Sequence, residues 1–264
     1  MGSVRVADLE RVRTVTFDRP EALNAFNHQM YEEVRSALQE AQQRRDVAVV
    51  VLTGAGRAFC AGQDLAEMAE AGDREPAGPS GANRMPHGFA AFMDTLIGFE
   101  KPLVAAVNGV GVGLGVTMLG HCDLVLMADN ARLRAPFASL GVAPEAGSSV
   151  LLVSMMGWQR AAWFFLSSEW MGAQEALQCG LAWRVCPAER LMEEASEVAR
   201  AIARMPVASL TATKRLMLAA RQEAVRAARE REDREFSRLV GGPANREALA
   251  AFAEKRQPDF TRID

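Results

Sequence analysis

The chain has 264 residues, of which 49% are apolar and 24% charged, and a net charge of −3. That length supports one large core, or a core with a helical appendage, and the mild acidity excludes the basic face that nucleic-acid binding requires. No apolar run approaches the roughly 18 residues that cross a bilayer, and the opening MGSVRVADLERV lacks the apolar region of a secretion signal, so a cytoplasmic location is expected.

Val4 to Val6 and Arg11 to Phe17 alternate in the manner of strands, with Ala7 to Glu10 as the candidate hairpin turn, and Arg19-Pro20 ends the second strand. Asn27 is placed to cap a helix over His28 to Arg45, where Met30, Val34, Ala37, Leu38 and Ala41 form one apolar stripe. The run VAVVVLT, ending at Thr53, suits a buried strand. Gly72 to Gly88 is rich in Gly and Pro, too long for a tight turn, and reads as a lid or a disordered segment. Phe89 to Phe99 then reads as helix, Leu103 to Val107 as extended, Gly113 to Leu119 as helix and Cys122 to Met127 as extended again. This recurrence of strand, strand and helix, without sequence identity between the copies, fits a spiral of such units. From Pro187 the composition changes. Ala188 to Arg204, Val207 to Ala219 and Glu223 to Leu239 are rich in Ala, Arg and Glu with helical periodicity, punctuated by Pro206 and Gly241-Gly242-Pro243. Their apolar stripes need a surface to cover, either the main body or a second subunit, so an oligomer is expected. The charged stretch Arg221 to Asp233 reads as a solvated helix.

Cys60, Cys122, Cys179 and Cys186 form no CxxC or zinc spacing and read as buried, reduced thiols. His28, His87 and His121 do not cluster, so no metal is expected.

Two segments carry the chemistry. In the first, the strand VVVLTG ends at Gly54, and Phe59-Cys60-Ala61-Gly62 bends sharply before a helix-like stretch from Asp64 to Ala71. Small residues at 60 to 62 let a ligand approach the backbone, although a plain strand–loop–helix connection reads the same way. In the second, Leu103 to Gly109 leads into glycines at 109, 111, 113 and 115 and a short apolar helix. The first N–H groups of a helix are free and carry partial positive charge, which suits an anionic oxygen. A dinucleotide fingerprint counted from Gly111 needs glycine where Val116 stands, and no acidic residue follows at the right distance. Together the two segments can aim two backbone N–H groups at one oxygen atom, the equipment of an oxyanion hole.

The segments RPEALNAF (19–26), LTGAGRAFCAGQDL (52–65), KPLVAAVNG (101–109) and FAEKRQPDF (252–260) resemble those of the crotonase superfamily, the enoyl-CoA hydratase/isomerase family, and the resemblance covers nearly the whole chain. It implies an α/β fold: a crotonase-like spiral of ββα repeats over 1–200 that holds CoA and the active site, then a C-terminal helical trimerisation region over 201–264. It also implies a homotrimer or dimer of trimers, an acyl-CoA thioester substrate, and no cofactor beyond the CoA that is part of that substrate. The oxyanion donors would be the main-chain amides of Ala61 and Leu114; leucine at the second place, where many relatives have glycine, resembles the enoyl-CoA isomerase branch. Substrate and CoA contacts would come from Ala25, Ala58, Ala61, Gln63, Asp64, Leu65, Gly113 and Phe137, and from Phe252 and Lys255 reaching CoA on a neighbouring subunit. A helix-packing Phe and a solvated Lys explain the last two equally well.

Hydratases of this family use two glutamates, and their places are held here by Thr117 and Phe137. Neither moves a proton as a carboxylate does, which disfavours hydration, because water addition needs a base for water and an acid for carbon. The Δ3,Δ2-enoyl-CoA isomerases resemble this chain in having a glutamate where Glu145 stands, and a double-bond shift needs one such group. Alternatively, Glu145 is a first-turn residue of a helix with Pro144 at its start. The resemblance thus implies an isomerase that moves a 3-enoyl-CoA double bond to the 2-position with Glu145 as proton shuttle. An enoyl-CoA hydratase or other crotonase-type acyl-CoA lyase or isomerase, and a non-catalytic CoA-binding paralogue, are the other readings. Asp123 is expected to be a structural hydrogen-bonding residue, Asp64 a helix cap and His121 a core residue. Met68, Met93, Leu96 and Phe137 suit an acyl tunnel or ordinary core packing.

Overall fold

The structure, a computed structural model, describes residues 2–64, 67 and 88–263. Leu65, Met68, His87 and the expected loop up to residue 87 lie outside the described residues.

The chain begins with a hairpin of β1 (Val4–Leu9) and β2 (Val12–Phe17), paired antiparallel from Val4↔Phe17 to Leu9↔Val12. Its turn is Glu10-Arg11 rather than Ala7 to Glu10. Both turn residues have positive φ, the twist that matches a two-residue hairpin loop to its strands. Helix α1 (His28–Gln43) follows; the Asn27 side chain caps it by accepting the Met30 N–H at 2.9 Å, and its stripe buries Met30, Tyr31, Val34, Ala37, Leu38 and Ala41.

From here strands come in pairs, the first of each in one sheet and the second in another. The pairs are β3 (Val49–Gly54) with β4 (Ala58–Cys60), β5 (Leu103–Val107) with β6 (Val110–Val112), and β7 (Leu124–Ala128) with β8 (Arg132–Arg134). Helix α2 (Phe89–Ile97) precedes β5, and the short α3 (Leu114–Thr117) follows β6. Further on come α4 (Ser148–Met156), α5 (Trp158–Ser167), β9 (Trp170–Gly172), α6 (Ala173–Gln178) and β10 (Arg184–Cys186). The larger sheet has six strands in the order β1-β2-β3-β5-β7-β10, and the smaller has four in the order β4-β6-β8-β9. Apart from β1–β2 and β8–β9, neighbouring strands are parallel. Val50 faces Leu103 and Val104 faces Leu124 in the first sheet, while Ala58 faces Val110 and Val110 faces Arg132 in the second. Each ββ pair therefore advances both sheets by one strand, and the chain spirals. Strands β3 and β5 are sealed on both faces, which is why they read as unbroken Val, Leu and Ala.

The tail is helical: α7 (Leu191–Ala203), α8 (Val207–Ala219), α9 (Gln222–Leu239) and α10 (Pro243–Ala253). Helix α7 lays Leu191, Ala195, Ala199 and Ala203 on the larger sheet, and residue 200 lies within it. Helix α9 is not solvated all round, because Val225, Ala228, Glu232 and Phe236 are buried.

Candidate active site

Because β4 and β6 are parallel neighbours, the turns that follow them lie side by side. Gly62 has φ +93, and a Cβ there would come within 2.9 Å of the Val112 carbonyl oxygen and 3.8 Å of the Leu114 nitrogen. A Cβ on Gly115 would collide with the Cys60 carbonyl. Glycine is what lets the two backbones close on each other.

The amides at this junction divide into spent and free. The N–H of Ala61 donates to Leu23 O at 3.0 Å, that of Asp64 to Phe26 O at 2.9 Å, and that of Gly113 to Arg134 O at 3.0 Å. The bridge between Phe26 and Gln63 uses the Gly62 carbonyl and the Asp64 N–H, which leaves the Gln63 N–H on the opposite edge. Leu114 opens α3, where the first N–H groups have no partner within the helix. Among the described residues, the N–H groups of Gln63 and Leu114 have no hydrogen-bond partner. The expectation of free amides at Ala61 and Leu114 is therefore corrected: Leu114 has a free amide, Ala61 does not, and the free amide on the first turn is that of Gln63.

These turns form one end of a cavity of about 620 Å³. Ala25, Tyr31, Phe89, Phe137, Leu140 and Val142 line its apolar walls, Glu145 faces it, and Phe236, Phe252, Arg256 and Gln257 enter from the helical tail. Glu145 lies just before α4, whose capping residue is Gly147, so it precedes the first helical turn rather than belonging to it. It is 6% exposed. Its Oε1 accepts the Thr117 hydroxyl at 2.7 Å, while Oε2 is buried without a partner among the described residues. Burial pushes the carboxyl up to about 8; the Thr117 hydrogen bond opposes the rise, and the nearby Glu232 and Asp233 charges add to it.

The turn that carries Glu145 is fastened on both sides. Ala146, at φ +65, gives its carbonyl oxygen to His121 Nε2 at 2.8 Å. Burial pushes His121 down to about 4, so the neutral ring donates from Nε2. Glu232 of α9 accepts the N–H groups of Gly147 and Ser149 at 2.6 and 2.8 Å.

Of the other residues expected at the site, Ala25, Ala61, Gln63, Asp64, Gly113, Phe137 and Phe252 line the cavity. The Asp64 carboxylate is held by Arg19 at 3.1 Å. Phe252, 66% exposed, lines the cavity of its own chain. Ala58 does not line it: it is buried in β4, and its carbonyl accepts Asn24 Nδ2 at 2.7 Å. Lys255 does not either; it ends α10 with φ +55 and an exposed side chain, and the next residues, Arg256 and Gln257, line the cavity instead. Leu65 lies outside the described residues. Met93 and Leu96 are buried core rather than cavity wall. Asp123 is structural, its Oδ2 accepting the Leu103 N–H and Lys214 Nζ, each at 2.7 Å.

Four contributors have no place in the sequence reading of the site: Tyr31 on the wall, Thr117 as partner of Glu145, His121 as a brace and Glu232 as an anchor. Tyr31 had one signal, being the chain's single tyrosine on the buried face of α1. Glu232 had none, since 85 residues separate it from the turn it holds.

Two free amides beside a buried carboxyl, at the wall of an apolar cavity in a ββα spiral, define a handler of activated acyl groups. The sequence model described as enoyl-CoA hydratase/isomerase matches residues 9–262. A relative in Escherichia coli K12, 1,2-epoxyphenylacetyl-CoA isomerase, is 34% identical over 253 residues, 95% of each chain. Another from the same organism, 2,3-dehydroadipyl-CoA hydratase, is 35% identical over 260 residues, 98% of this chain and 99% of that one. The crystal structure of an enoyl-CoA hydratase/isomerase from Pseudoalteromonas atlantica T6c superposes with a TM-score of 0.89 at 34% identity, covering 98% of this chain and all of that one. The protein belongs to the enoyl-CoA hydratase/isomerase family of the crotonase superfamily, whose members act on acyl-CoA thioesters. Among the described residues, no helix is long and apolar enough to cross a membrane.

Proposed function

We propose that this protein is an acyl-CoA isomerase that shifts a 3-enoyl-CoA double bond to the 2-position. The observation that carries this reading is Glu145: one buried carboxyl, one oxygen tied to Thr117 and the other without a partner on an apolar cavity. Glu145 Oε2, once ionised, takes a proton from C2 of the thioester. Charge moves to the thioester oxygen and C4, giving a dienolate whose oxygen lies between the N–H groups of Gln63 and Leu114. The same carboxyl returns the proton at C4. No atom is gained or lost, and no cofactor takes part, because CoA arrives as part of the substrate. Donors set in place before the charge develops are the strongest catalytic element such a site offers.

The hydratase name of one relative favours a second reading, water addition to a 2-enoyl-CoA. Against it, Thr117 spends its hydroxyl on Glu145, and Phe137 offers the cavity a ring. A cytoplasmic homotrimer or dimer of trimers goes with the proposal, and Trp158, Trp163 and Leu166, exposed on α5, suit contact with another copy.

The test is to follow 3-enoyl-CoA isomerisation and crotonyl-CoA hydration in parallel, with the native protein and with Glu145→Gln. The expected result is isomerisation that disappears in the variant while acyl-CoA binding persists. Unchanged turnover in Glu145→Gln removes that residue from the mechanism, and hydration faster than isomerisation reverses the assignment.

A further inference from the structure

Among the described residues that line the cavity, two titratable groups are buried: Glu145 and Tyr31. The proposed reaction explains why Glu145 Oε2 has no partner. It does not explain Tyr31. The ring of Tyr31, 1% exposed, is boxed by Phe26 at 5.1 Å, Phe92 at 5.6 Å and Phe89 at 6.1 Å between centroids, so the hydroxyl cannot swing out to water. That hydroxyl has no hydrogen-bond partner among the described residues. A buried polar group without a partner destabilises the fold, and phenylalanine in the same aromatic box would avoid that loss. The phenol stays protonated: burial, and after it the Glu145 charge, holds it well above its ordinary pKa. It is thus a neutral donor in a cavity whose apolar lining includes Ala25, Phe89, Phe137, Leu140 and Val142.

We infer that the Tyr31 hydroxyl recognises a neutral oxygen carried by the acyl group, so that the preferred substrate is an oxygenated acyl-CoA, bearing a hydroxyl or carbonyl beyond the reacting carbons, rather than a plain hydrocarbon ester. A terminal carboxylate fits less well, because the same burial that keeps Glu145 protonated would strip an anion of its water. The inference rests on the proposed function only in placing the acyl group in this cavity.

Saturated esters test it, since they bind without isomerising. Calorimetric titration compares hexanoyl-CoA with its 4-, 5- and 6-hydroxy counterparts, on the native protein and on Tyr31→Phe. At least one hydroxy ester is expected to bind the native protein about tenfold more tightly than hexanoyl-CoA, the worth of one well-made hydrogen bond to a site that otherwise leaves its donor unpaired. In Tyr31→Phe the preference should fall to within about twofold. Equal binding of all four esters to the native protein overturns the inference even if the variant does not fold, as does a preference that survives Tyr31→Phe. A crystal structure with hexanoyl-CoA bound and an ordered water seated on the Tyr31 hydroxyl overturns it too. Loss of the isomerase reading leaves this titration standing, and failure of the titration leaves the isomerase reading standing.

Discussion

Replacing Glu145 by glutamine exposes how much stability the site gives up for its carboxyl. Burial lifts that carboxyl from 4.5 to about 8. Each tenfold change in proton affinity is worth about 1.4 kcal/mol, so ionising Glu145 inside the fold costs about 4–5 kcal/mol more than ionising it in the unfolded chain. The sign follows from proton counting. Between pH 4.5 and 8 the folded chain keeps a proton that the unfolded chain has released, so the native protein loses this stability as pH rises through that window. Glutamine cannot ionise and loses nothing there. Its amide nitrogen inherits the unpartnered position of Oε2, a cost of about 1–3 kcal/mol that does not vary with pH. The measurement is therefore the slope of the difference: urea or thermal unfolding of both proteins from pH 4.5 to 9. The variant should gain on the native protein by about 4–5 kcal/mol across the series, or roughly 10 °C in Tm for a chain of this size. The same variant should lose isomerisation by roughly 10²–10⁴-fold. A stability difference that is flat in pH would refute the argument that Glu145 is held in its protonated form by burial.

Four further outcomes follow from the same geometry. The kcat/KM of the native protein for a 3-enoyl-CoA should climb with pH, with its limb near the value of about 8 held by the Glu145 carboxyl, and level off above it; a profile flat from pH 6 to 9 counts against Glu145 as the base. Thr117→Val removes the hydrogen bond that lowers that value, so the limb should move to higher pH and return in Thr117→Ser; an unmoved limb means Thr117 only fills space. Exchanging the Leu114 amide for an ester, by incorporating the α-hydroxy analogue of leucine, deletes one oxyanion donor without changing a side chain and should slow turnover roughly 10²–10³-fold; the same exchange at Ala61 should not, because that N–H already serves Leu23. Trp163→Glu on α5 should break the proposed assembly into single chains, read by mass photometry, and an unchanged mass argues for a different contact face.

The parts of the fold that announced themselves in the sequence are those whose pattern is long and strong. VAVVVLT and LVAAV can be little other than strands sealed on both faces, and they are β3 and β5. Asn27 and the α1 stripe mark a helix that the structure contains to within two residues of the expected end. Strands β9 and β10 have three residues each, too few for a period to register, and the sequence reading passed over them. The site was half visible for a similar reason. Closely spaced glycines mark where two backbones meet, but which amide is left free depends on the φ of +93 at Gly62, which turns Ala61 toward Leu23 and leaves Gln63 unpaired. A dihedral angle of that kind leaves no mark in composition. Glu145 stood out through its resemblance to isomerases, whereas Ala58 and Lys255, named on the same resemblance as CoA contacts, do not line this cavity.

Glu232 ties the turn that carries Glu145 to α9, the last helix but one in the chain. Without α9 the amides of Gly147 and Ser149 lack their acceptor, and the turn keeps only part of its anchorage, His121 on Ala146 and Thr117 on Glu145. A fragment that stops short of α9 would carry every residue proposed for the reaction yet lack the carboxylate that fixes their turn, and it is expected to be inactive.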